Sequence, residues 1–279
     1  MNKKKLEMVV TDLDGTLLND DHCLSENDLR TLERLKASGV VRVIATGRNI
    51  FSAKKVIYPD FPIDYLIFSS GAGLIDWKTK EILFSFELSS DQVVHISNFL
   101  INQNIDFMLH KPIPENHNFL YYHSGNHNPD FVRRVKLYSD YAVPLNSNLS
   151  EPGSACQFIT IIPNDIFLFE QLKKSLPEFK VIRATSPLDG KTMWVEIFPA
   201  TVSKAKAAQW LCEARKINRE HVLAIGNDYN DLDLLHWAKH SYVVANAPVE
   251  LKCQFDITRS NLESGFTRAV LKNIEEHVG

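Results

Sequence analysis

The stretch Met8-Val9-Val10-Thr11-Asp12-Leu13-Asp14-Gly15-Thr16 decides how this chain is read. Its apolar run has the composition of a buried strand, yet it ends on two carboxylates and a Gly-Thr turn. Asp12 and Asp14 are two residues apart, so on extended backbone they face the same side. Carboxylates that close repel, and each raises the other's pKa. A cation between them, or a proton on one, relieves that cost. Oxygen ligands suit Mg2+, and a carboxylate can attack phosphorus to form an aspartyl-phosphate. The competing reading is a strand-ending turn with solvated acids, since Asp and Gly are common turn residues.

Outward from that stretch, strand and helix patterns alternate. Ser25 is placed to cap a helix carrying Leu29, Leu32 and Leu35, which Gly39 ends. Val40 to Ala45 reads as a strand closing in Thr46-Gly47-Arg48. A short helix over residues 50–57 leads to a strand, Tyr65 to Phe68, which closes in Ser69-Ser70-Gly71. Such alternation predicts βαβ units and a parallel sheet. After a hairpin over residues 74–86 the pattern changes to an α+β mixture, rich in Pro and Asn. From Trp194 the first style returns, with Val195 to Phe198 as a strand, a helix capped by Ser203, and the strand Val222 to Ile225 closing in Gly226-Asn227-Asp228-Tyr229-Asn230-Asp231. The expected fold class is α/β: a Rossmann-like parallel-sheet core domain from residues 1–84 and 190–279, with an inserted α+β cap domain at 85–189.

The bulk numbers exclude several classes. With 31 Lys+Arg against 34 Asp+Glu the net charge is −3, without the basic excess of a nucleic-acid-binding protein. Cys23, Cys156, Cys212 and Cys253 form no C-x-x-C pair, so neither a zinc knuckle nor a disulfide framework is expected. The basic start, Met1 to Lys5, is followed by an apolar stretch that Glu7, Asp12 and Asp14 interrupt, so no secretory signal is expected. No apolar run reaches membrane-spanning length. The expectation is a cytoplasmic protein that partners neither nucleic acid nor membrane.

Open parallel sheets bind ligands at the carboxyl ends of their strands. Four predicted strands end there in polar clusters, and Lys204 starts a helix near the same rim. Phosphoryl transfer needs a nucleophile in line with phosphorus and positive charge around the equatorial oxygens. It also needs an acid for the leaving alkoxide. Asp12, nearest the strand end, is assigned as nucleophile and Asp14 as acid/base. Thr46 offers a hydroxyl and Lys204 a charge to the phosphate. Asn227, Asp228, Asn230 and Asp231 supply oxygens for Mg2+ or hold Lys204. In the insert, His110, Asn116 and His117, with Tyr121 and His123, are candidates to reach a substrate's leaving group.

These residues resemble the haloacid dehalogenase (HAD) superfamily phosphatases of the Cof type, which carry the larger α/β cap. Asp12-Leu13-Asp14-Gly15-Thr16-Leu17-Leu18 is similar to the first family motif and Ala45-Thr46-Gly47-Arg48 to the second. Val202-Ser203-Lys204 is similar to the third, with Ala205 where Gly is frequent, and Gly226 to Asp231 occupies the fourth. Ala245-Asn246-Ala247-Pro248 and Asn261 to Gly265 match further stretches. The resemblance implies Mg2+-dependent hydrolysis of small phosphomonoesters, often sugar phosphates, with Thr46, Gly47, Lys204 and Asn230 at the phosphate. It implies a metal set drawn from Asp12, Asp14 (through its carbonyl), Asn227, Asp228 and Asp231. The fourth motif departs from the pattern, since Asn227 stands where the first Asp is usual, and Ser70 stands where the third strand's loop usually has Asn. Either Asp228 or Asp231 ligates instead, or metal affinity is lower. A phosphomutase or phosphotransferase using the same ester, and a non-catalytic sugar-phosphate sensor, are the alternative readings.

Overall fold

The computed structural model describes residues 6–145 and 153–276. The basic start, Met1 to Lys5, lies outside them. In the first part of the chain β1 (Met8–Thr11), β2 (Val41–Ala45), β3 (Tyr65–Phe68), β4 (Gly73–Asp76) and β5 (Ile82–Ser85) accompany α1 (Glu26–Ala37) and α2 (Ile50–Ala53). The middle contributes α3 (Ser90–Asn102), β6 (Phe107–His110), β7 (Phe119–Tyr122), α4 (Pro129–Leu137), β8 (Ala142–Pro144), β9 (Gln157–Ile162), α5 (Ile166–Ser175), β10 (Phe179–Thr185) and β11 (Met193–Pro199). The last part supplies α6 (Lys204–Arg215), β12 (Val222–Gly226), α7 (Leu232–Trp237), β13 (His240–Val243), α8 (Val249–Lys252), β14 (Asp256–Ile257) and α9 (Gly265–Glu276).

Two compact units result, one from the chain up to Phe84 and from Ser203 onward, the other from Ser85 to Val202. The first holds a sheet ordered β14-β13-β12-β1-β2-β3-β4-β5, parallel from β14 through β3. Strand β1 lies at its centre, with Met8 opposite Val222 on one side and Val41 on the other. All four of its residues are buried, as a strand covered on both faces requires. Val10, Val43, Ala45 and Ala224 pack there with Ala208 and Leu211 of α6 and Leu234 of α7. The site therefore grows from a central, fully buried strand. Ser25 caps α1 by accepting from Asp28 N, as its spacing predicted.

The second unit holds a sheet ordered β10-β11-β9-β6-β7-β8. One face packs Phe107, Phe158 and Val195 against Val93 and Ile96 of α3 and Phe169 of α5. The other packs Met108, Ile159 and Trp194 against Phe131 of α4. Here the structure moves a boundary. Strand β11 pairs antiparallel with both β9 and β10, so residues 190–202 belong to the insert rather than to the sheet of β1. A nearly continuous apolar strand, buried on both faces as β11 is, looks alike whichever sheet receives it, and its own pattern carries no partner's name. Strands β8 and β14 and helix α8, each four residues or fewer, have no expectation in the sequence reading.

Candidate active site

The site begins where β1 stops. Asp12 N still donates to Ile225 O (2.9 Å), so its backbone is held by the sheet. Its side chain is buried, with Oδ1 2.7 Å from Lys204 Nζ. Lys204 opens α6, which Ser203 caps by accepting from Lys206 N. Its ammonium also donates to Asp231 Oδ1 (2.6 Å), and Lys204 and Asp231 are both buried. The second oxygen of Asp231 accepts from the backbone N–H groups of Asn227 (2.9 Å) and Asp228 (3.1 Å). A Cβ on Gly226 would lie 2.6 Å from the Asp231 carboxyl carbon, so only glycine lets this loop fold over that carboxylate. Both oxygens of Asp231 are thus engaged in holding Lys204 and the loop.

Two carboxylates share one ammonium in this buried triad, a formal charge of +1 − 2 = −1. Burial pushes the Asp12 carboxyl up to about 7; Lys204 opposes the rise, and the charges of Asp231 and Asp14 add to it. Burial alone would lower the Lys204 ammonium's pKa, but Asp12 and Asp231 outweigh it and hold Lys204 charged. The triad lacks one positive charge.

Asp14 does not share that triad. Arg48 donates to its carboxylate through both Nε (2.6 Å) and Nη2 (2.7 Å), and His22 Nδ1 lies 3.2 Å from Oδ1. The two acids of the opening motif are therefore held by different cations. Its backbone points differently: the side-chain amide of Asn227 lies 3.2 Å from the Asp14 carbonyl oxygen, 3.2 Å from Asp12 Oδ2 and 3.1 Å from Thr16 Oγ1. The carboxylate and the carbonyl only accept hydrogen bonds, so the amide presents its nitrogen to them.

Thr46 and Gly47 follow β2 on the same rim. Thr46 is buried, and its Oγ1 accepts from Arg48 N (3.1 Å). A Cβ on Gly47 would lie 3.4 Å from Asn230 Nδ2 and 3.5 Å from Ser70 Oγ, so these three meet. Gly71, at φ +104°, passes so close to α6 that a Cβ would fall 2.3 Å from Ser203 O. Asn246 Nδ2 donates to Gly15 O (2.8 Å), and Asn261 Nδ2 donates to Leu18 O (3.2 Å) and Asp20 Oδ1 (3.0 Å). The two C-terminal stretches noted in the sequence therefore tie down the loop after Asp14. Asp12, Asp14, Thr46, Gly47, Lys204, Asn227, Asn230 and Asp231 all gather at the β1 rim, and Asp228 lies in the same loop.

The insert candidates are placed otherwise. His110, at the end of β6, and Asn116, in the turn that follows it, are both buried in the second unit. His110 Nδ1 meets Asn116 O (2.8 Å), and its ring packs 4.9 Å from Phe119. Burial, with Arg134 adding to it, pushes the His110 imidazole down to about 3. Asn116 Nδ2 donates to Cys156 Sγ (3.5 Å). His117 packs edge-on to Tyr141, and His123 pairs with Asp106 (3.0 Å). A cluster of His and Asn around prolines reads as a polar loop; the loop is there, but His110 belongs to β6 and is buried, and Asn116 is buried within the turn.

Arg48 and His22 hold Asp14 without having been singled out as site residues. Arg48 stood in the second motif beside Thr46, which was its signal. For His22, at φ +58° in an exposed turn, the sequence held none.

Among the described residues no three or more His, Cys, Asp or Glu side chains cluster so as to hold an ion. Two oxygens of different kinds converge instead, one from the Asp12 carboxylate and one from the Asp14 backbone carbonyl, with the turnable amide of Asn227 beside both. That donor set, beside a triad short of one positive charge, fits a hard cation that keeps several waters.

Comparison with known proteins gives the chain its family. The model of the haloacid dehalogenase-like hydrolase family matches residues 9–270. YxeH of Bacillus subtilis (strain 168) is 27% identical over 95% of this chain and 97% of its own length. The same organism's 5-amino-6-(5-phospho-D-ribitylamino)uracil phosphatase YwtE is 25% identical, covering 93% of this chain and 95% of its own. Among solved structures, BT1666 from Bacteroides thetaiotaomicron superposes with a TM-score of 0.79 at 18% identity, over 97% of this chain and 96% of that one. BT4131, described as a HAD subclass IIB sugar phosphatase, gives 0.75 at 19% identity, over 96% and 99%. No helix among the described residues is long and apolar enough to cross a membrane. The chain belongs to the haloacid dehalogenase-like hydrolase family, as one of its phosphatases with an inserted cap domain.

Proposed function

We propose that the protein hydrolyses small phosphomonoesters of the sugar-phosphate class through a phosphoryl ester on Asp12. The observation that carries this is the position of the Asp12 carboxylate: fixed by β1, buried, and bonded through one oxygen to a lysine that Asp231 holds in place. In the first step an Asp12 oxygen bonds phosphorus as the bond to the ester oxygen breaks. The leaving oxygen takes a proton from Asp14. In the second step water attacks phosphorus, Asp14 takes its proton, and the Asp12–phosphorus bond breaks to release phosphate. The bidentate Arg48 pair holds Asp14 as a carboxylate in the resting site; a substrate's phosphate competes for that guanidinium, and the freed carboxylate takes up from water the proton it gives in the first step. Thr46, the Gly47 backbone, Asn230 and Lys204 receive the phosphoryl oxygens. Mg2+ would be held by Asp12, the Asp14 carbonyl and Asn227, and when bound it supplies the missing positive charge against those oxygens. Asp231 serves Lys204 rather than the metal in this reading. BT4131 and YwtE, both named as phosphatases of small phosphorylated molecules, support the substrate class. Intact Asp12, Asp14, Thr46 and Lys204 favour turnover over a passive sensor.

Phosphate release from a panel of sugar phosphates, with and without Mg2+, tests this beside Asp12→Asn. We expect metal-dependent release that falls by about 10³-fold or more in the variant. Undiminished release by Asp12→Asn removes Asp12 from the chemistry.

A further inference from the structure

We propose that the Asn227 side chain is a rotatable amide that takes the cation's place in the metal-free site and so sets a weak affinity for Mg2+. The inference rests on the Mg2+ reading of the site given above. Three observations carry it. The amide nitrogen sits within 3.2 Å of both oxygens offered to a cation, Asp12 Oδ2 and Asp14 O. Its partly positive hydrogens thus answer a buried triad that is one positive charge short. The third neighbour, Thr16 Oγ1, is a hydroxyl at 3.1 Å, which accepts from the nitrogen in this orientation and donates to the amide oxygen once the amide has turned. Thr16 is therefore a partner to both states, while Asp12 and Asp14 are partners to one. The Asn227 backbone N–H stays bonded to Asp231 Oδ2, so the turn is confined to the terminal amide. Gly15, where a Cβ would come within 2.7 Å of that amide, leaves it the room.

To ligate a cation the amide must give up its two bonds to Asp12 and Asp14 and present a neutral oxygen. A carboxylate at this position behaves oppositely. It repels Asp12 Oδ2 and the Asp14 carbonyl when no cation is present, and adds a full negative charge when one is. Asn227 thus exchanges metal affinity for a site that is stable without metal.

The test uses the whole protein stripped of metal, with Mg2+ titrated by calorimetry and by thermal shift. Asn227→Asp is expected to bind Mg2+ about tenfold or more tightly than the unaltered protein. Its metal-free melting temperature is expected to fall and to recover as Mg2+ is added. Asn227→Ala, which removes the amide without adding charge, is expected to melt lower than the unaltered protein in the absence of metal. Equal or weaker Mg2+ binding by Asn227→Asp overturns the inference, as does a metal-free Asn227→Ala as stable as the unaltered protein. Either result, beside Mg2+-dependent phosphate release, leaves the phosphatase reading standing. If no variant responds to Mg2+, the cation leaves the site and this inference goes with it.

Discussion

The two carboxylates that share Lys204 are not equivalent, and replacing each in turn exposes the difference. Asp231 is fully buried and saturated: Oδ1 takes the lysine at 2.6 Å, while Oδ2 takes two backbone N–H groups at 2.9 and 3.1 Å. In Asp231→Asn the amide oxygen can keep the backbone pair, which turns an N–H group toward the Lys204 ammonium at donor-to-donor distance. Removing one partner of a buried pair costs about 3–5 kcal/mol. Against a total stability of about 5–15 kcal/mol that is a large share. Asp12 is different, because burial has already pushed its carboxyl up to about 7, so its ionisation at pH 8 is itself a cost of about 4 kcal/mol. Asp12→Asn gives up the Lys204 contact but no longer carries that ionisation cost, in which the attraction of Lys204 is already counted. We therefore expect Asp231→Asn to lose at least about 3 kcal/mol and Asp12→Asn to stay within about 1 kcal/mol of the unaltered protein, or to gain. Urea unfolding at pH 8 in metal-free buffer, followed by circular dichroism, measures both. Equal losses in the two variants refute the reasoning, because they make the triad symmetric.

Two further outcomes follow from groups away from the nucleophile. The His110 imidazole, held down to about 3 against 6.5 in an unfolded chain, is neutral when folded and protonated when unfolded between those values. The unfolded state binds the extra proton there, so stability falls as pH drops through that window, by up to about 1.4 kcal/mol per unit. His110→Gln should flatten the melting temperature between pH 6 and 4, and parallel curves would show that His110 is not the titrating group. Gly71→Ala sets a Cβ 2.3 Å from Ser203 O at a φ of +104°, which drives the start of α6 and Lys204 away. A loss of about 2 kcal/mol or more is expected, with slower phosphate release; an unchanged melting temperature contradicts that contact.

Strand ends were the legible part of this molecule. A run such as Met8 to Thr11 that stops on Asp12 has few other uses than the centre of a parallel sheet. The same holds for Val222 to Gly226 before Asn227. Local pattern reached these because each element's burial is written in its own residues. Pairing was not legible for β11: Val195 and Ile197 announce a strand but not that β9 and β10 receive it. The direction of a long polar side chain was equally hidden. Asp12 and Asp14 share a face on extended backbone, yet β1 has already ended at Thr11, and Asp14 meets Arg48 instead. His110 and Asn116 look like a solvent-facing pair, yet the pairing of β6 with β9 accompanies the burial of His110, and Asn116 is buried in the turn that follows.

Strand β1 takes half its ladder from residues more than two hundred positions away, with Met8 opposite Val222 and Thr11 opposite Ile225. During synthesis the ribosome delivers Asp12 early and its ammonium partner only after the whole inserted unit has emerged. Until then one edge of β1 is an open template, able to pair with a stranger. The insert, contiguous in the chain, has all its own strands before β1 has its second neighbour, β12. Hydrolytic competence therefore arrives last, in a single closing event, and a truncated product carries an acid with nothing to hold it.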